Sequence, residues 1–250
     1  MKFLRLRRTK QRGRVAGALH WLLVASLPVL IYTLVLLDFV AFAFAIILLS
    51  KWRMFAVKTR HWPANVRSNA VDIFVGLSTV VFVSVAVSQW LQIVSCVAYA
   101  TWLLFVKPKS SEIWIGLQAL IAQTLTLVAI FILWSDASVI SLMFAVWITT
   151  YLSARHFLGA FDEAMARGSA YVWAFFAASL TWLTSHWLLY YGIISQPALM
   201  LTVIGYGMAA LYYLQHTDRL KKGVRRQFVS LMVAIVLFIL IFSDWSGEII

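Results

Sequence analysis

Charge is what this chain has least of. Only 12% of its 250 residues are charged, and Asp and Glu number 9 against 21 Lys and Arg. Soluble domains carry about 25% charged and about 45–50% apolar residues; here 63% are hydrophobic. A water-soluble chain of this length cannot hide so much apolar surface, since even a domain of roughly 300 residues keeps about a quarter of its unfolded surface exposed. The composition predicts lipid as the solvent and excludes a disordered, collagen-like or disulfide-scaffolded chain. Cys96 is the single cysteine and lies inside an apolar run, which excludes an internal disulfide and a cysteine metal site.

Long apolar runs are what the chain does have. A bilayer core about 30 Å thick asks for about 20 mostly apolar residues. Runs of that kind fall near 70–89, 91–107, 113–134, 137–153, 169–190, 196–215 and 227–243. The stretch from Val15 to Ser50 is too long for one span and short for two. As one span it would set the basic tail, Lys2 to Arg14, opposite the loop 51–69 with Lys51, Arg53, Lys58, Arg60 and Arg67. The positive-inside rule disfavours that. Two short helices, near 16–34 and 37–50 and turning at Leu36-Leu37-Asp38, put both segments on one face.

The expected fold is therefore all-α: a single integral membrane domain over 1–250, a polytopic bundle of nine spans with the N-terminus in and the C-terminus out. The first two helices are either short spans or a re-entrant hairpin. All 21 Lys and Arg then fall in segments 1–15, 51–69, 107–112, 154–168 and 216–226, while the other face carries Asp38, Asp136, Asp244 and Glu248. This predicts a multi-pass protein of the cytoplasmic (inner) membrane, with anionic lipid headgroups as its electrostatic partners. The formal net charge of +12 is accounted for in this way without nucleic acid. A cleaved signal peptide is not expected, because its apolar segment runs only about 7–15 residues. The lack of a repeat at a period of about 20–50 residues argues against a solenoid or an inverted-repeat transporter.

Ionisable residues are scarce within the spans. The exception is Asp72, whose context Asn69-Ala70-Val71-Asp72 predicts a capped helix start with an acid in the first turn. The alternative is an ion or substrate contact paired with Arg67 or Arg53. Either way, a proton- or cation-coupled pump and a retinal protein are disfavoured. The five histidines, His20, His61, His156, His186 and His216, have no metal-ligand spacing, and no metal or cofactor is expected. Segment 154–168 reads as a short amphipathic connector on the inner surface, with Phe157, Phe161 and Met165 on one side and His156, Glu163 and Arg167 on the other. A sharper reading makes it a docking or catalytic surface built on His156, Asp162 and Glu163, completed by Arg155 or Asp72.

Within the spans, Gln118, Gln123 and Thr124 form the deepest polar group. Side chains of this kind usually bond helices together, and a path for a neutral substrate would use the same ones. Gly205 and Gly207 open the eighth span to close approach, and Trp52, Trp62, Trp90, Trp134 and Trp245 fall at predicted boundaries. No G-x-S-x-G elbow or glycine-rich phosphate loop is present.

Two short apolar helices, Lys51-Trp52-Arg53, Arg60-His61-Trp62-Pro63, two spans, the basic turn Lys107-Pro108-Lys109-Ser110-Ser111-Glu112 and a long span follow one another. Over residues 17–134 this layout resembles the membrane-embedded N-terminal region of bacterial transglutaminase-like membrane proteins. That family carries its Cys–His–Asp chemistry in an external domain, whereas Cys96 is predicted inside the membrane. The resemblance thus implies a membrane scaffold without its enzyme, and otherwise the chain is similar to small bacterial polytopic membrane proteins. The leading functional expectation is a non-enzymatic scaffold or assembly partner with a membrane-protein partner. The alternatives are a transporter or flippase of a neutral or lipidic substrate, and a membrane enzyme working at the cytoplasmic interface.

Overall fold

A computed structural model describes residue 21 and residues 24–187 and 190–242. Among them the chain is all-helical apart from one short hairpin. The helices are α1 (Val24–Leu36), α2 (Val40–Leu49), α3 (Trp62–Val85), α4 (Gln89–Thr101), α5 (Glu112–Leu133), α6 (Val139–Ala160), α7 (Ala166–Thr184), α8 (Gln196–His216) and α9 (Lys222–Ile241). The segments around α3, α4, α5, α8 and α9 are long and apolar enough to cross a membrane. Each predicted apolar run overlaps one of these helices, and α1 and α2 are the shorter apolar ones. His20 and Trp245, like most of residues 16–23, lie outside the described residues.

The helix ends explain where the runs break. The chain stops α1, α6 and α8 in one way: Asp38, Asp162 and Asp218 each adopt a positive φ, of 60°, 49° and 55°. The next backbone N–H reaches back to a carbonyl five residues earlier, from Phe39 to Leu34, from Glu163 to Leu158 and from Arg219 to Leu214. This is the Schellman closure, with aspartate in the place usually held by glycine or asparagine. Ser88, Ser138 and Ser195 cap α4, α6 and α8 by accepting from Leu91, Ser141 and Ala198 N–H groups. Helix α4 ends in a π-helical turn over Trp102–Val106.

The chain divides into two compact units, Met1–Trp52 with Thr79–Ser110, and Arg53–Ser78 with Ser111–Ile250. In the first, Gln92 donates to the Val83 carbonyl at 3.3 Å and joins α4 to the end of α3. In the second, α6 and α7 make the most extensive helix contact. Helix α7 buries a row of small residues, Ala166, Ala170, Ala174, Ala177, Ala178, Thr181 and Thr184. Side chains this short let two backbones approach closely. The hairpin β1 (Tyr190–Tyr191) and β2 (Ile194–Ser195) ties together helix ends: Tyr190 donates to the Phe131 carbonyl at 2.8 Å and Tyr191 to the Ile239 carbonyl at 3.0 Å. Gly207 admits α9, since a Cβ there would come within 2.7 Å of Met232 Sδ.

Two expectations change. Segment 154–168 is not a separate surface helix; it comprises the last turns of α6, a tight turn at Asp162 and the start of α7. Asp72 is not in a first turn. Helix α3 begins at Trp62, with Pro63 in its opening turn, where the missing N–H costs nothing. Asn69, the expected cap, is inside the helix and donates to the Asn65 carbonyl at 2.9 Å. Asp72 thus lies nearly half-way along α3.

Candidate functional site

The second unit holds a half-open cavity of about 390 Å³ between α5, α6, α7 and α8. Three helices contribute an apolar wall, through Ala119 and Leu120 of α5, Ala154, Phe157 and Leu158 of α6, and Met208 and Ala209 of α8. The polar lining is sparse: Gln123, Ser153, Glu163, Ser169, Trp173 and Tyr212. By residue position, the cavity runs from half-way along the helices, at Gln123, Trp173 and Gly205, to the α6–α7 turn at Glu163. An apolar wall with a few polar groups and a volume of roughly 300–1,000 Å³ is the usual form of a small-molecule site.

At the inner end the Trp173 indole N–H donates to the Gln123 carbonyl oxygen at 3.1 Å. Gly205 gives this pair room, because a Cβ there would lie 3.0 Å from Gln123 Nε2 and 3.5 Å from the Trp173 ring and the amide would have to shift. At the outer end the Tyr212 hydroxyl donates to Glu163 Oε2 at 2.7 Å. Phe161 packs edge-on against the rings of Tyr212 and His216, with centroids 5.4 Å and 5.0 Å away. Between the two ends stands Ser153, 2% exposed, whose Oγ has no hydrogen-bond partner.

The predicted residues divide among several places. Gln123 lines the cavity and Gln118 is buried outside it. Thr124 accepts from Thr202 at 3.5 Å, the helix-joining role. Ser78 of α3 and Thr126 of α5 pair hydroxyl to hydroxyl at 3.2 Å in the same way. The expected catalytic grouping is divided between two places. Glu163 meets Tyr212, with His216 as its nearby imidazole, whereas His156 feels the charge of Asp72. Asp162 is exposed at the turn. Arg155 and His156 each bury a nitrogen without a partner, and Arg167 lies over the Tyr171 ring at 5.9 Å. Sequence reasoning missed Ser153, Trp173 and Tyr212. A serine, a tryptophan and a tyrosine in apolar helices carry no local signal, and the Trp173–Gln123 contact spans 50 residues.

The Tyr212 hydroxyl, and after it the Met165 backbone N–H, hold the Glu163 carboxyl below the usual glutamate range. A carboxyl lowered on folding stabilises the fold fully above its unfolded pKa of about 4.3 and loses that contribution as pH falls through the lowered value. Acidification from about pH 5 downward should therefore loosen the α6–α7 turn from α8. Thermal unfolding followed against pH should be steeper in this range for the native chain than for Glu163→Gln, and equal slopes would contradict the assignment.

Comparison of the chain with protein families, with curated proteins and with solved structures yields no match.

Proposed function

We propose that this chain is a multi-pass protein of the cytoplasmic membrane that takes a neutral, largely apolar molecule into the cavity between α5, α6, α7 and α8, as the binding step of transport or flipping. The observation that carries this reading is the cavity itself, apolar along its length and touched by Gln123, one of the intramembrane polar residues expected to line such a path. A purely structural scaffold needs no such volume. The lipid setting is supported by the apolar residues that face outward, among them Phe42, Phe144, Val172, Phe175, Leu231 and Ile241, since exposed apolar patches beyond a few hundred Å² are rare on soluble proteins. Nine crossings with the basic segments cytoplasmic remain the topology favoured by charge, and they put the α6–α7 turn, and with it the Glu163 end of the cavity, on the cytoplasmic side.

Ala154 stands on the cavity wall, and phenylalanine there would occupy the space a guest needs. Native mass spectrometry of the purified full chain should find a retained neutral amphiphile on the native protein and at least tenfold less on Ala154→Phe. Equal loading of the two folded proteins, or none on either, would remove the reading.

A further inference from the structure

Among the described residues, Ser153 Oγ is the buried side-chain hydroxyl without a hydrogen-bond partner. Several helical hydroxyls here turn back to the carbonyl one turn earlier: Ser78 to Phe74 at 2.7 Å, Ser95 to Leu91 at 2.8 Å, Thr150 to Val146 at 2.7 Å and Thr181 to Ala177 at 2.9 Å. Ser153 does not, although it is 2% exposed. An unpaired buried hydroxyl is costly, and Ser153 is among the residues that line the cavity. A guest that supplies the missing partner would remove that cost.

The polarity of the neighbouring amide narrows the guest. An indole N–H can only donate, so the 3.1 Å contact with Trp173 commits the Gln123 oxygen and turns its NH₂ toward Gly205, 3.0 Å from a would-be Cβ. The buried end of the cavity therefore offers donors, the Gln123 amide and the Ser153 hydroxyl, and asks for an acceptor. At the other end the Tyr212 hydroxyl is already committed to Glu163. The remaining free oxygen capacity there belongs to a carboxylate, which repels an anionic headgroup and accepts from a hydroxylated one. The wall between, with Leu120, Phe157 and Met208, suits a hydrocarbon chain.

We propose that the guest is a neutral acyl amphiphile, an ester or amide of a fatty chain, whose carbonyl oxygen accepts a hydrogen bond from Ser153 Oγ. This rests on the cavity being a binding site, and the experiment separates the two ideas. The full chain in detergent is titrated with three probes that share one chain: 1-monooleoylglycerol, its ether analogue 1-O-oleylglycerol, and oleate. The native protein should bind the ester about fivefold more tightly than the ether, and oleate more weakly than the ester. Ser153→Ala should abolish the ester–ether difference. Its thermal midpoint without added lipid should equal or exceed that of the native chain, because an unsatisfied hydroxyl has been removed; a lowered midpoint would mean a structural bond and count against the assignment. If ester and ether bind alike and Ala154→Phe removes both, the cavity reading stands and the carbonyl proposal falls. If the native protein keeps the ester preference but Ser153→Ala keeps it too, the proposal also falls. Tighter binding of oleate than of the ester overturns the neutral class. If none of the three binds, the cavity reading and the proposal fall together.

Discussion

Replacing Ala174 with leucine should lower the unfolding midpoint sharply, whereas Val172→Leu two residues away should leave it almost unchanged. Ala174 is 0% exposed and Val172 is 71% exposed, so the two positions test opposite faces of one helix. The inner face of α7 repeats small side chains at helical spacing, Ala166, Ala170, Ala174, Ala178, and the helix approaches α6 closely enough to bring the Tyr151 and Tyr171 rings to 4.6 Å. Leucine adds an isopropyl group where the backbones meet. Overpacking of a filled interior costs about 1–3 kcal/mol, and here the strain would be passed to the cavity, since Ser169 and Trp173 ride on the same helix. Thermal unfolding in a single detergent measures it. A midpoint within the error of the Val172→Leu control would mean that α6 and α7 are not locked by small residues.

Gln123→Leu should be nearly as damaging, for a different reason. It leaves the Trp173 N–H without the acceptor it now has at 3.1 Å, in a site where Gln123 itself is 4% exposed. Stranding a buried donor costs about 1–3 kcal/mol, whereas removing both partners together can be close to neutral. The double variant Gln123→Leu with Trp173→Phe should therefore recover most of the stability lost by the single one. That recovery is the diagnostic outcome. Additive losses would show that the two side chains act independently.

Much of the fold is legible in the sequence because membrane helices declare themselves locally. Apolar length marks the runs, and the turn at Asp38 and the breaks at Ser88 and Ser195 fall where capping chemistry puts them. Errors arose where a local signal had two meanings. Asn69 and Asp72 look like a cap and a first turn, yet Pro63 had already opened the helix upstream. Residues 154–168 have an amphipathic pattern, yet their apolar side, Phe157 and Phe161, packs on Tyr212. The site was less legible. Gln123 stood out as a deep polar residue, but the cavity beside it depends on Gly205, Trp173 and Ser153 meeting from three helices. Such a meeting depends on helix rotation, which hydropathy does not encode.

Helix α9 buries only 6% of its most apolar stretch, and beyond the Tyr191 bond to Ile239 its main contact with the rest of the second unit runs along α8, where Gly207 accepts Met232. Most of what keeps it in place must then come from the hydrocarbon around it. Its attachment should follow the thickness and chain length of the surrounding amphiphile: a short-chain detergent would peel the last helix away before the α6–α7 seam notices, and a matched bilayer would hold it with no change in any residue.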